Sequence, residues 1–334
     1  MKALVLSAPA PIDTAPLHLH DLPAPNPAAD EIRVRVQACA ICRTDLHVVE
    51  GELPPRAARI VPGHQAVGIV DRCGARVKRF KDGDRVGIAW LRSTCGQCRH
   101  CRAGRENLCA QARFTGYHEH GGYAEYAVVR EDFAYAIPAA LEAAQATPLL
   151  CAGIIGYRAL RRADMRPGCR VGLYGFGASA HIAIQVARHF ECTVYVMTRD
   201  ARHQALARQL GAAWVGGADA KPPESLDSAV LFAPLGDLVL PALTALDSGG
   251  TLALAGIYLT DIPTLNYERH LFHEKNLRSV TANTRADGEE LLRIAGAIPI
   301  RPQITSFPLA DANRALQQLK HDAIQGAGVL LVTA

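Results

Sequence analysis

The sequence predicts an α/β protein in two parts: a β-rich, barrel-like domain up to about residue 150, then a doubly wound parallel sheet. Three observations predict this. The first part reads as short alternating strands set between Gly, Pro and Asp clusters. From Arg170 the chain alternates short apolar strands with helical stretches, the texture of βαβ units around a parallel sheet. A length of 334 residues has room for both parts.

In the first part, Glu31–Val36 (EIRVRV) and Ala66–Val70 are alternating strands, and Lys81-Asp82-Gly83-Asp84 supplies turn chemistry before a strand at Arg85–Ala89. The texture changes near Pro148. Val171–Tyr174 is then a strand, Ala178–Phe190 a helix, Thr193–Met197 a strand and Ala201–Leu210 a helix. Four further strands are expected at Ala213–Val215, Ser228–Phe232, Thr251–Ala255 and Leu277–Thr281. After about residue 284 come a helix (Asp287–Ala297), a Pro-rich strand, a helix (Leu309–His321) and an apolar strand, Gly328–Val332. That last strand is expected to return to the first domain.

Composition narrows the function classes. Hydrophobic content of 49% and charged content of 20% are those of an ordinary globular protein. A net charge of +4, without a basic run or an aromatic ladder, gives nucleic acid no footprint. The opening MKALVLSAPAPID lacks the long apolar core of a signal peptide, and no apolar run reaches the ~18 residues that span a bilayer. Ten cysteines without a secretion signal point to a reducing, cytoplasmic compartment and no membrane partner.

Four of those cysteines, Cys95, Cys98, Cys101 and Cys109, follow the spacing C-x2-C-x2-C-x7-C. Two-residue gaps let neighbouring thiolates converge on one tetrahedral Zn²⁺, and the fourth closes the site against water. Such a site is structural. Disulfide pairing and an iron–sulfur cluster are the rivals; the wide last gap and the lack of Pro after Cys109 count against the cluster.

Strand Val171–Tyr174 runs into Gly175-Phe176-Gly177-Ala178-Ser179-Ala180 and then a helix. This is G-x-G-x-x-A in strand–turn–helix context, a dinucleotide-binding turn. Gly175 permits the tight turn, and Gly177 lets the backbone approach a pyrophosphate seated on the helix N-terminus. The next strand ends at Thr198-Arg199-Asp200, with Thr198 where an acidic residue would take the ribose 2′-hydroxyl of NAD. Thr198 and Arg199 suit a 2′-phosphate instead, so NADP is favoured over NAD. Asp200 is read as the N-cap of the following helix.

A second cluster is more dispersed. Cys42-Arg43-Thr44-Asp45-Leu46-His47, Gly63-His64-Gln65 and Cys151-Ala152-Gly153 each offer a ligand type, and two thiolates with one imidazole make a three-ligand zinc site with an open fourth position. The segments CRTDLH, GHQAVG, CGQCRHCRAGRENLC, CAGIIGY and GFGASA occur in this order along essentially the whole chain. Together they resemble the zinc-dependent alcohol dehydrogenases of the medium-chain dehydrogenase/reductase superfamily.

That resemblance implies a GroES-like catalytic domain (1–149 and 285–334) and a Rossmann cofactor domain (150–284). It implies Cys42, His64 and Cys151 as ligands of a catalytic zinc, and Cys95, Cys98, Cys101 and Cys109 as ligands of a structural one, two Zn²⁺ per chain. Thr44 and His47 match a proton relay that passes through the cofactor ribose, Asp45 a carboxylate that orients the ligand His, and Arg43 a pyrophosphate contact. The implied activity is reversible oxidation of small-molecule alcohols by hydride transfer to NAD(P). Zinc supplies the charge that makes the alcohol proton removable near neutral pH. A tetramer, or a dimer, is expected from the chain length shared with shorter microbial enzymes.

Two departures stand out. Gln65 replaces the family's usual Glu after the ligand His, and Gln325-Gly326-Ala327-Gly328 lacks an Arg often found near the cofactor phosphate. Cys39, Cys73, Cys169 and Cys192 read as small apolar fillers, and His118 and His120 as a solvated or subunit-contact loop. Trp90 and Leu91 are expected to line a substrate entrance. No bulky aromatic follows His47, which suggests medium aliphatic or aromatic primary alcohols. A polyol or butanediol dehydrogenase, and a non-catalytic zinc-stapled nucleotide-binding protein, are the competing readings.

Overall fold

The computed structural model describes residues 1–298 and 300–332. They form two compact units, Ala152–Thr281 and Met1–Cys151 with the segment from Ala282 onward.

The Ala152–Thr281 unit is built on six parallel strands. These are β1 (Arg170–Tyr174), β2 (Thr193–Met197), β3 (Trp214–Gly216), β4 (Leu226–Leu231), β5 (Leu246–Leu254) and β6 (Asn276–Ser279). Their order in the sheet is β3-β2-β1-β4-β5-β6, the doubly wound Rossmann arrangement. Val171, Leu173, Val194, Val196, Ala229 and Val230 are all buried, as a sheet covered on both faces requires. Strand order reverses between β1 and β4, so the crevice for a ligand opens beyond the carboxyl ends of these two strands.

Several boundaries differ from the sequence reading by one or more residues. The helix after β1 starts at Ala180, because Gly177, Ala178 and Ser179 form the turn that precedes it. Strand β5 starts at Leu246, five residues before the expected Thr251. Leu246 pairs with Leu226, a register shift follows, and pairing resumes at Thr251 with Ser228. The polar Asp247-Ser248-Gly249-Gly250 run, which lies ahead of the expected strand, is carried inside the strand as this irregularity.

The larger unit centres on the strand Glu31–Ala40. One edge pairs antiparallel with Ala66–Cys73 along its length; the other is shared by Tyr126–Arg130 and Ala327–Leu331. The sheet continues through Arg85–Ile88 and Ala134–Ala136 on one side and Ile304–Pro308 on the other. The C-terminal strand therefore returns to the first unit as expected. The expected helix Leu309–His321 is a 3-10 turn, Leu309–Asp311, followed by the helix Ala312–Lys320. The main core runs from Leu4 and Ile32 to Leu316 and Leu330, with a smaller cluster of Ala38, Ala40 and Val329 beside it.

Candidate metal centres and cofactor turn

The four-cysteine loop hangs from a two-stranded ribbon in which Leu91–Ser93 pairs with Arg113–Phe114. Sγ separations are 3.5 Å for Cys98–Cys101, 3.5 Å for Cys95–Cys109 and 3.9 Å for Cys95–Cys101. Zn–S bonds of ~2.3 Å place tetrahedral ligands ~3.8 Å apart, so the cage has the size zinc needs. The amides of Cys98 and Gln111 donate to the sulfurs of Cys95 and Cys109, both at 3.4 Å. Backbone N–H groups at Gln97 and Cys98 pull the Cys95 thiol down to about 6, toward the thiolate a metal binds. Buried Glu106 fixes this loop to the returning C-terminal segment. It accepts from the Arg285 amide at 3.0 Å, and its carboxylate lies 3.3 Å from the Arg285 guanidinium.

The second cluster brings together Cys42, His64 and Cys151, whose ligand atoms all lie within 4.8 Å of one another. Cys42 is the N-cap of the helix Arg43–Glu50. Its thiol receives the Thr44 amide at 3.3 Å and lies 3.3 Å from His64 Nε2. Asp45 completes a capping box by accepting the Cys42 amide at 2.9 Å, and its other oxygen meets His64 Nδ1 at 3.0 Å. One carboxylate thus starts the helix and sets the imidazole tautomer, leaving Nε2 as the ligand atom.

Charge follows the same geometry. Hydrogen bonds from Cys151, His64 and the Thr44 side chain, with the His64 charge, hold the Cys42 thiol well below its usual range against its burial. Burial opposes a charged His64, yet Asp45 and Cys42 outweigh it and raise the imidazole to about 10. A metal entering this site displaces a proton.

Packing fixes His64 from behind. Gly63 has φ +93°, and a Cβ there would run into the ring of Tyr123. The amides of Gly121, Gly122 and Tyr123 bond to the carbonyls of Val61, Gly63 and Pro62, and His120 Nδ1 accepts the Val61 amide at 3.2 Å. His118 Nδ1 likewise accepts the Phe114 amide. Both histidines brace backbone while His118 is half-buried and His120 exposed, and among the described residues neither joins a metal cluster. Trp90 meets the His64 ring edge-on at 5.0 Å and stacks on Phe114 at 4.8 Å, with Tyr117 at 6.1 Å. Leu91 instead points into the core and lines no entrance.

The remaining expected residues of this unit lie on or beside the helix Arg43–Glu50. Thr44 is buried, and His47, three residues on, is partly exposed with Nδ1 against the Glu52 carboxylate. Sequence reading missed Glu52, since nothing in its spacing from His47 marks a partner. Arg43 makes an exposed ion pair with Asp322 at 2.6 Å. Gln65 is buried, and its Nε2 has no hydrogen-bond partner among the described residues.

In the Ala152–Thr281 unit, the turn after β1 has the form a pyrophosphate needs. Gly175 has φ +85°, and a Cβ there would approach the Ala233 amide to 2.9 Å. A Cβ on Gly177 would meet no protein atom within 4 Å, so that backbone faces open space. Phe176 is buried, and Ser179 precedes the helix without a side-chain cap, so its first amides keep no side-chain acceptor there. Thr198 is buried at the end of β2 and Arg199 exposed beyond it. Asp200 caps the next helix through the amides of Arg202 and His203 and pairs with the Arg202 guanidinium. Its carboxylate is therefore engaged locally. Cys169 and Cys192 are not separate fillers: their sulfurs are 3.8 Å apart.

A doubly wound sheet with this turn, in one chain with a closed four-thiolate cage and an open Cys2His set, defines a zinc dehydrogenase that uses a nicotinamide dinucleotide. Residues 28–139 match the family model of the alcohol dehydrogenase GroES-like domain, and residues 180–296 that of the zinc-binding dehydrogenase. The chain is 52% identical to a probable alcohol dehydrogenase of Mycobacterium tuberculosis, an alignment covering 99% of this chain and 97% of that one. Among solved structures it is similar to a cinnamyl alcohol dehydrogenase of Sorghum bicolor (27% identity, TM-score 0.88, 99% and 97% of the two chains). It is equally similar to a cobalt- and zinc-bound thermostable alcohol dehydrogenase of Pyrobaculum aerophilum (27%, 0.88, 99% of each). The chain belongs to the zinc-dependent alcohol dehydrogenases of the medium-chain dehydrogenase/reductase superfamily. It is an oxidoreductase acting on alcohols.

Proposed function

We propose that this enzyme interconverts medium aliphatic or aromatic primary alcohols and their aldehydes, prefers NADP to NAD, and holds two zinc ions per chain. The observation that carries the reading is the Cys42, His64, Cys151 cluster with Asp45 behind His64. Its donor set suits zinc, and three ligands leave one position for substrate. Zinc bound there would act as a Lewis acid toward the alcohol oxygen. The chain's own residues then manage the proton. Thr44 and His47 are three apart on one helix face, one buried and one partly exposed, so a proton can pass outward along the helix. Glu52 orients the His47 ring that exchanges it with water.

Arg43 is assigned to the cofactor pyrophosphate, and its exposed pair with Asp322 is weak enough to yield to a second anion. The Gly175, Phe176, Gly177, Ala178 and Ser179 turn is assigned to the same phosphates. Local engagement of Asp200 leaves Thr198 and Arg199 to face the ribose, which supports NADP. The Trp90, Phe114 and Tyr117 stack beside His64 supports an aromatic or apolar substrate. Exposed Ile257, Tyr258, Ile262, Tyr267 and Phe272 support self-association as a tetramer or dimer. No described helix is long and apolar enough to cross a membrane. A cytoplasmic location is part of the proposal and rests on the free thiols.

Initial rates on benzyl alcohol and ethanol, each with NADP and NAD, test this. The proposal expects the highest kcat/KM for benzyl alcohol with NADP, and a swing toward NAD in Thr198→Asp. Equal use of both cofactors, or preference for ethanol, would refute the corresponding part.

A further inference from the structure

Six of the ten cysteines belong to the two metal clusters. Cys39 is buried within the strand Glu31–Ala40, and Cys73 ends the strand Ala66–Cys73. The other two, Cys169 and Cys192, meet. Strands β1 and β2 are parallel neighbours with Arg170 opposite Thr193, so each cysteine is the residue just before its strand. The Thr193 amide donates to the Cys169 carbonyl at 3.0 Å, which holds the two backbones at sheet spacing. Neighbouring strands lie ~4.8 Å apart, inside the Cα range a disulfide spans. The sulfurs are already 3.8 Å apart, so bond formation asks only for side-chain rotation.

We propose that Cys169 and Cys192 are a redox-modification site that forms a reversible disulfide with a small-molecule disulfide of the glutathione class. Cys169 is the attacking sulfur and Cys192 the resolving one. Exposure sets the order: Cys169 is partly accessible, whereas Cys192 is buried and also reaches the Arg166 carbonyl at 3.3 Å. A hydrogen bond from Cys192 pulls the Cys169 thiol down to about 7 against burial, and the same bond pushes Cys192 up. The Cys169 thiolate attacks one sulfur of oxidised glutathione, forms a mixed disulfide and expels one glutathione thiolate. The Cys192 sulfur then attacks Cys169 Sγ, loses its proton to solvent and expels the second glutathione thiolate. Two protein thiols are oxidised, and one disulfide is reduced to two thiols. The bond ties together the feet of the two strands that lead to Gly175 and Thr198.

The zinc-loaded enzyme is treated with oxidised glutathione, quenched in acid, alkylated and mapped by mass spectrometry, with zinc measured in parallel. The expected product is a Cys169–Cys192 linked peptide at unchanged zinc content. Cys192→Ser should retain one glutathione on Cys169, and Cys169→Ser should carry none on Cys192. Iodoacetamide at neutral pH should label Cys169 at least ~10-fold faster than Cys73, whose thiol is pushed up to about 11 by burial and by Asp82. The proposal is overturned by absence of the linked peptide, by an unmodified Cys192→Ser, or by oxidation confined to the zinc cysteines with zinc lost.

Discussion

Replacing Asp45 by Asn should weaken zinc binding at the open site while sparing the closed one. Asp45 is buried and accepts two donors, the Cys42 amide at 2.9 Å and His64 Nδ1 at 3.0 Å. Asn offers one carbonyl oxygen, and its NH2 group would face the second donor. One charge-assisted hydrogen bond is lost, worth ~1.5–3 kcal/mol, and the helix cap weakens by ~1 kcal/mol if the Cys42 amide is the donor abandoned. Loss of an orienting carboxylate behind a ligand His costs ~10–100-fold in metal affinity, or ~1.4–2.7 kcal/mol, which agrees with the bond count. Zinc competition with a chromogenic chelator at neutral pH measures this directly. The four-cysteine site, which Asp45 does not contact, serves as the internal standard. Retention of the second zinc within about 2-fold of wild type would refute the reasoning.

Three further outcomes are expected. Gly63→Ala should yield protein that keeps the four-cysteine zinc and loses the other, because φ +93° and the Tyr123 ring leave no room for a Cβ; zinc analysis checks it. His181 is buried and held neutral, its imidazole lowered from 6.5 to about 4 by burial. The unfolded chain takes up that proton first, so stability is full above pH 6.5 and is lost as the pH falls toward 4, by at most about 3 kcal/mol. Urea unfolding of His181→Gln should show a flatter dependence over this window, and an unchanged slope would exclude His181 as a cause. Gln65→Glu places a carboxylate where a neutral amide now lies buried. It should accelerate exchange of the open-site zinc for isotope, and unchanged exchange and turnover would show that residue 65 leaves the metal alone.

Much of this was legible in the sequence, for reasons that particular residues make clear. C-x2-C spacing is local, so the four-cysteine cage could be read directly, and the G-x-G-x-x-A turn declares itself because it joins a strand to a helix. Cys42, His64 and Cys151 come from three distant segments, and only the order of several motifs along the chain tied them together. Side-chain partnerships across loops left no such trace. Glu52 beside His47, Trp90 against His64, and His120 on the Val61 amide depend on how loops pack rather than on spacing. Cys169 and Cys192 read as fillers because each looks isolated until β1 and β2 are aligned. The Gly-bearing start of β5 falls outside the expected strand because its propensity for strand is low, whereas pairing with β4 keeps it in the sheet.

The most direct test of the account is zinc content per chain, measured together with alcohol-dependent NADP reduction, for the wild type and Cys42→Ser. Two zinc ions are expected in the wild type, and in the variant one zinc with the reaction abolished. Two zinc ions in an active variant, or full activity with only one zinc in the wild type, would contradict the assignment of Cys42, His64 and Cys151 as the catalytic metal site.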